Sequence, residues 1–267
     1  MMQQHQMQFE PPIPSPSAFR TVYHEYGRYK TIIGKSFAHD GYEYLINTRV
    51  GSGVRHDILM AMVNELKAMQ MLYSRVFLTR FDLHLPEFTS VEAGNGYIRQ
   101  LFKRLRVRLG PGNSRPMGLS EPIIDFAYGW VCEQEEASQP HYHCWIALPH
   151  RQVKWFGTPE KGIAGAITDI WMKLTGGKAT LVNLAKVIKA TKTTKSYPNH
   201  YIIHRDDPET LEGPIYWLSY LAKERGKSQT GKGARIYSTS KLSNEILRRK
   251  PVGRFSPTDN TLTLPTK

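Results

Sequence analysis

Two histidines, His141 and His143, alternate along the stretch HYHCWIAL at 141–148. On a β-strand, side chains two apart point the same way, so both imidazoles face one side while Tyr142, Cys144, Ile146 and Leu148 face a core. Two imidazoles side by side make a pair of metal ligands, although a bare H-x-H is more often two surface histidines. A second strand, IIDFAYGWVCE at 123–133, precedes them across a short polar segment, QEEASQP. The simplest pairing of the two is an antiparallel hairpin. That hairpin brings Glu133 opposite or near His141, with Cβ atoms about 5 Å apart. The register is open, and Glu135 or Glu136 can substitute from the loop. Two imidazoles and a carboxylate leave positions for water and phosphate oxygens, as a catalytic metal requires. The ligand types admit Mg, Mn or Zn.

A second set is Tyr216-Trp-Leu-Ser-Tyr220-Leu-Ala-Lys223. On a helix, residues three and four apart share a face, so Tyr216, Tyr220 and Lys223 line up while Trp217, Leu218 and Leu221 pack inward. A tyrosine can attack phosphorus and form a phosphotyrosyl ester. Its hydroxyl has a free pKa of about 10, so it needs a polarised phosphate or a nearby cation such as Lys223. Taken alone, a tyrosine pair at this spacing is more often packing than chemistry. A third set, Arg80-Phe-Asp82-Leu-His84, puts three polar groups on one face of a strand, either solvent-facing or lining a site that holds phosphates or orients a metal.

The elements that must position these groups follow from periodicity. Ile58, Leu59, Met62, Val63, Leu66 and Met69 predict an amphipathic helix over 56–73 with Asp57 near its start, where a carboxylate can cap free amides. VFLTRFDLHL at 76–85 reads as a strand. Ile98, Leu101, Phe102, Leu105 and Leu109 predict a helix whose other face carries Arg99, Lys103, Arg104, Arg106 and Arg108. Further helices are expected over 160–174 and 214–224, the latter with Pro214 in its first turn, and a strand over 200–204. The stretch 181–193 fits helix or strand. Strands interspersed with helices and a hairpin predict an α+β fold with a central antiparallel sheet and flanking helices. Residues 1–40 read as a partly disordered extension, 41–249 as the folded domain, and 250–267 as a tail.

The 267-residue chain has 36 Lys and Arg against 23 Asp and Glu, a net charge of +13, which points to a polyanionic partner. No apolar run reaches the length of a membrane helix, and the start has neither the basic nor the apolar region of a signal peptide. A cytoplasmic protein with no membrane role is expected. Cys132 and Cys144 read as small apolar side chains, not as a disulfide framework.

The RFDLH strand, the W-x-x-E-Q segment at Trp130–Gln134 followed by His141 and His143, and the Y-x-x-x-Y-x-x-K helix at Tyr216, Tyr220 and Lys223 come in the order and spacing of the HUH endonucleases. Within these the chain resembles the rolling-circle replication initiators of filamentous phages found in prophages, over about residues 70–242. The resemblance implies a ferredoxin-like sheet, and Mg or Mn at His141 and His143 with an acidic third ligand. It further implies nicking of single-stranded DNA at an origin, leaving a 5′-phosphotyrosine and a free 3′-OH for a host polymerase. Tyr220, three before the lysine, is the favoured nucleophile, and Tyr216 would serve a second cut. The segment Gly226–Gly233 lacks the features of a phosphate loop, so unwinding would fall to a host helicase. A relaxase or transposase of the same chemistry, a DNA-binding protein that keeps the fold without catalysis, and a zinc hydrolase using His141, His143 and Glu133 are the rival readings.

For holding DNA, the sequence offers Arg80, Asp82 and His84, the basic helix face with Arg99 and Lys103, the series Lys186, Lys189, Lys192 and Lys195, and Lys227, Lys232 and Arg235 after the tyrosines. Trp145, on the histidine face of its strand, is expected to stack on bases. If six phosphates are neutralised on a single strand, log affinity should fall with log salt at a slope of about −4.

Overall fold

The computed structural model of the protein describes residues 23–26, 29–48, 52–134, 139–153, 155–189, 197–225, 227 and 235–248. Along the chain run β1 (Tyr23–Tyr26), β2 (Tyr29–Ile32), β3 (Ser36–His39), β4 (Tyr42–Leu45), β5 (Val54–Arg55), α1 (His56–Leu72), β6 (Arg75–His84), α2 (Val91–Leu109), β7 (Ala127–Glu133), β8 (His141–Pro149), β9 (Gly157–Thr158), α3 (Gly162–Thr175), β10 (Val182–Leu184), β11 (His200–His204), α4 (Glu212–Ser219), β12 (Tyr237–Thr239) and α5 (Leu242–Arg248). The fold is α+β. Its central sheet has six antiparallel strands in the order β10-β6-β8-β7-β12, with β11 sharing the outer edge of β6 with β10. None of the helices among the described residues is long and apolar enough to cross a membrane.

Strand alternation divides the sheet into two faces. One carries Phe77, Phe81, Leu83, Trp130, Cys132, Tyr142, Cys144, Ile146 and Leu148, all buried against α2 and α3. The α2 residues that meet it are Ile98, Leu101, Phe102, Leu105 and Leu109, and Ser90 caps the helix by accepting the Ala93 amide at 3.2 Å. The other face packs Leu78, Ala127, Val131, Trp145 and Ala147 against α1 and α4. Here α1 buries Ile58, Leu59, Met62, Val63, Leu66 and Met69.

The structure corrects four sequence expectations and resolves one that was open. Residues 29–40 belong to the packed body: Ile32 and Phe37 have no exposed surface, and a boundary at 40/41 would cut the turn between the paired strands β3 and β4. Their apolar side chains come singly among polar ones and find non-local partners, so no local periodicity reveals them. Asp57 does not cap α1 but pairs with Arg55 at 2.6 Å. The stretch after Ala179 forms one 3-10 turn and the short β10, so Lys186 and Lys189 share no helix face; Lys192 and Lys195 lie outside the described residues. The tyrosine helix stops at Ser219, and Tyr220–Ala222 form a 3-10 turn. The first expected strand is also shorter than 123–133, starting at Ala127. The tails at 1–18 and 250–267, and Glu135 and Glu136, lie outside the described residues.

Candidate metal centre and tyrosine site

The hairpin register places Glu133 directly opposite His141 on β7 and β8, and Asp82 opposite His143 on β6 and β8. Direct cross-strand partners on one face are close enough for their side chains to meet. They do: Asp82 Oδ1 lies 2.6 Å from His143 Nδ1, the two Nε2 atoms of His141 and His143 are 3.2 Å apart, and Glu133 Oε2 is 3.3 Å from His143 Nε2. Ligand atoms of Glu133, His141 and His143 all fall within 4.8 Å of one another. The donor set suits a divalent cation: two imidazoles, one carboxylate, and an outer carboxylate on the far nitrogen of His143 that fixes its tautomer and ring.

The charges around this cluster are tightly compensated. Glu133 is almost fully buried; its Oε1 accepts from Lys227 Nζ at 2.9 Å and its Oε2 lies 3.1 Å from Lys223 Nζ. Burial alone would raise the Glu133 carboxyl, but the His143 hydrogen bond and the lysine charges outweigh it and hold it far below the usual carboxylate range. Asp82 is likewise held low, with the His143 hydrogen bond overcoming burial. Burial pulls His143 down, yet its bonds to Asp82 and Glu133 prevail and lift it above the ordinary histidine value. His141 is pushed down by burial and by the neighbouring His143. The two lysines on Glu133 move oppositely. Lys227, the more deeply buried, is lowered by desolvation, whereas in Lys223 the pull of Glu133 outweighs burial.

Tyr220 stands beside the cluster, its ring 6.3 Å from that of His143. In a 3-10 turn, residues three apart eclipse. Lys223 accordingly folds back over Tyr220, with Nζ 4.5 Å from the ring centroid and 3.4 Å from the hydroxyl. Three anchors set this turn. Ser219 Oγ accepts the Asn47 amide at 2.8 Å and donates to the Tyr216 carbonyl at 2.7 Å. Lys223 bridges to Val54, and the Glu224 amide donates to the Gly53 carbonyl at 2.9 Å. Gly53 is needed there, since a Cβ would run into Thr31. Finally, the Arg80 guanidinium donates to the Trp217 carbonyl at 2.9 Å and lies over the Trp217 and Tyr220 rings. Its charge suits the carbonyl end of a helix, and burial lowers its pKa to about 10.

Against the sequence expectations, the structure unites His141, His143, Glu133, Tyr220 and Lys223 and leaves Tyr216 apart. Tyr216 is half-buried on α4, and among the described residues no hydrogen bond, ion pair or ring contact joins its side chain to the cluster. Several expected DNA contacts are overturned. Arg80 is 3% exposed and supports the tyrosine turn from inside. Asp82 orients His143 and cannot serve a phosphate. Lys227 is 4% exposed and neutralises Glu133. Trp145 has no exposed surface: it lies farther down the histidine face, where α1 and α4 cover the sheet, and fills the space left by Gly129 opposite it. A base cannot stack on it. His84 is exposed and stacks on His141 at 5.6 Å. Arg99 and Lys103 are exposed, but α2 covers the sheet face opposite the cluster. Arg235 is exposed at the cluster's end of the sheet, its carbonyl held by Asn95, which also takes the Tyr142 hydroxyl. Lys232 lies outside the described residues. The parts played by Arg80 and Lys227 were missed because a local pattern records charge but not depth; a lone arginine between Thr79 and Phe81 on a central strand was the available signal.

The fold and the site together define an α+β protein whose central antiparallel sheet gathers a candidate divalent-metal triad at its strand ends, beside a tyrosine–lysine pair. The chain belongs to the YagK/YfjJ C-terminal domain family, found in prophage-like proteins, whose model matches residues 41–240. None of the curated proteins and none of the solved structures matches it.

Proposed function

We propose that this protein is a DNA nickase and strand transferase of the HUH endonuclease kind, acting on single-stranded DNA at a replication origin with Tyr220 as nucleophile. The observation that carries the reading is the convergence of Tyr220 and Lys223 on the Glu133, His141 and His143 cluster. The prophage setting of the family supports a role in copying a mobile element.

His141, His143 and Glu133 would hold Mg or Mn, which when bound polarises the scissile phosphate. Tyr220 Oη forms a bond to phosphorus as the P–O3′ bond breaks, giving a 5′-phosphotyrosine and a free 3′-OH. The phenolic proton leaves the hydroxyl, and the departing 3′ oxygen gains one. Lys223, beside the hydroxyl, can neutralise negative charge that gathers around the reacting phosphate. Arg80 holds the tyrosine turn, and Asp82 keeps the His143 ring aimed at the cluster. The ester keeps the bond energy, so attack by a 3′-OH can rejoin the strand. A host polymerase would extend the free end, and a host helicase would unwind the duplex.

The test is a covalent adduct on a denaturing gel, formed on labelled single strands from the gene's own neighbourhood with Mn or Mg. Adduct lost with EDTA and in the Tyr216/Tyr220 double phenylalanine variant is expected. Cleavage that survives both tyrosine changes without adduct would instead make the protein a metal hydrolase.

A further inference from the structure

We infer that Phe88 is a stacking platform for a nucleobase of the single strand that enters the site, an inference that rests on the nickase reading. Phe88 is 94% exposed, the highest value among the large hydrophobic side chains described. An exposed apolar residue alone is ordinary. Its backbone is not: φ is 63°, in the left-handed region, which glycine and asparagine adopt readily and a bulky side chain resists. Among the described residues only Asp40 and Lys241 share this departure without being glycine, and neither carries a ring.

The turn that imposes it is well anchored. The Thr89 amide and hydroxyl both donate to the Pro86 carbonyl, at 3.3 and 2.8 Å. Phe88 thus takes the third place of a four-residue turn, where positive φ calls for glycine. Leu85 is buried on one side of it, and Ser90 caps α2 on the other. A rigid turn therefore holds a ring outward, in a backbone conformation that glycine would satisfy at less cost. Strain kept in this way marks function more often than chance does.

Position and surroundings identify the ligand. Phe88 follows His84 by four residues, so their Cα atoms are at most about 14 Å apart, and His84 stacks on the cluster residue His141. Its immediate chain neighbours, Glu87 and Thr89, are polar, and the exposed Ser90 and Glu92 follow, so no run of apolar side chains continues from the ring as a surface for a protein or lipid would need. The two carboxylates discourage phosphate at that spot, while the flat π-face accepts a base of any identity. The strand would contact this turn through its bases and the rest of the basic surface through its backbone.

The experiment measures binding by fluorescence anisotropy of labelled oligo-dT of 20 nucleotides in Mg, in a Tyr220→Phe background so that no chemistry intervenes. Phe88→Gly, which relieves the backbone, should melt no lower than its parent yet bind about tenfold more weakly, the size of one lost base stack. Phe88→Trp should restore the affinity. An oligonucleotide with abasic sites throughout should bind the parent and the Phe88→Gly variant alike. Equal affinity of Phe88→Gly and its parent for oligo-dT, or a lower melting temperature for Phe88→Gly, would overturn the inference. If that happens while the protein with Tyr220 intact still forms its covalent adduct, only the Phe88 assignment falls. Absence of both adduct and strand binding would remove the nickase reading and this inference with it.

Discussion

The two faces of the central sheet obey different rules. The face under α2 and α3 is apolar save for Thr79, whose hydroxyl donates to the Asn199 carbonyl, from Phe77 and Leu148 at one end to Leu83 and Tyr142 at the other. The face under α1 and α4 begins the same way, with Leu78, Ala147 and Trp145, then turns to Arg80, Asp82, His143, His141 and Glu133. Both share strands, alternation and burial. Burying charge is costly unless each group is paired, and the second face meets most of that cost with ion pairs and hydrogen bonds. Stability alone would be served by continuing the apolar pattern. The change of character halfway along one face is what the proposed chemistry would require.

Substitutions on the two halves of that face should separate activity from stability. The largest effect belongs to Tyr220→Phe, which should lower adduct formation at least about 10³-fold while the melting temperature stays near wild type; Tyr216→Phe should leave most of the activity, as followed on the same denaturing gel. Next, on the packed half, Trp145→Ala should cost about 3–5 kcal/mol of unfolding free energy in urea titrations, while the protein that remains folded still binds metal. Asp82→Asn should do the reverse, weakening Mn affinity about 10–100-fold by calorimetry with little change in stability. A smaller effect concerns pH. Because Asp82 and Glu133 hold His143 above its ordinary value, a cation must displace its proton. Apparent metal affinity should fall as pH drops through that raised value and level off above it, and proton release should show as a buffer-dependent heat. The smallest change is expected on the opposite side, where replacing Arg99 or Lys103 with Ala should alter the salt slope of strand binding by at most about 0.7 each. No change at all would take α2 out of the DNA path.

How far the sequence could be read follows the same division. Where structure is local it was legible: the helical periodicity of α1 and α2, the alternation of β6 and β8, and a hairpin whose short polar connection brought Glu133 to His141. The tyrosine and its lysine were visible as a spacing. What depended on coverage by distant segments was not. Trp145 and His143 alternate on one strand, and only the placement of α1 and α4 makes one a core residue and the other a ligand candidate. Lys227 carries the same charge as any surface lysine, and its burial on Glu133 depends on a segment 94 positions away folding back. The strands at 29–39 were read as part of an extension because Ile32 and Phe37 reach their partners only in three dimensions.

On the proposed reading, the polar end of this face holds a divalent cation beside Tyr220. Anomalous diffraction from crystals grown with Mn tests it most directly. One strong peak is expected, bounded by His141, His143 and Glu133 and next to the Tyr220 hydroxyl, and lost in His143→Ala. A peak elsewhere, or none while Lys223 and Lys227 keep their hold on Glu133, would contradict it.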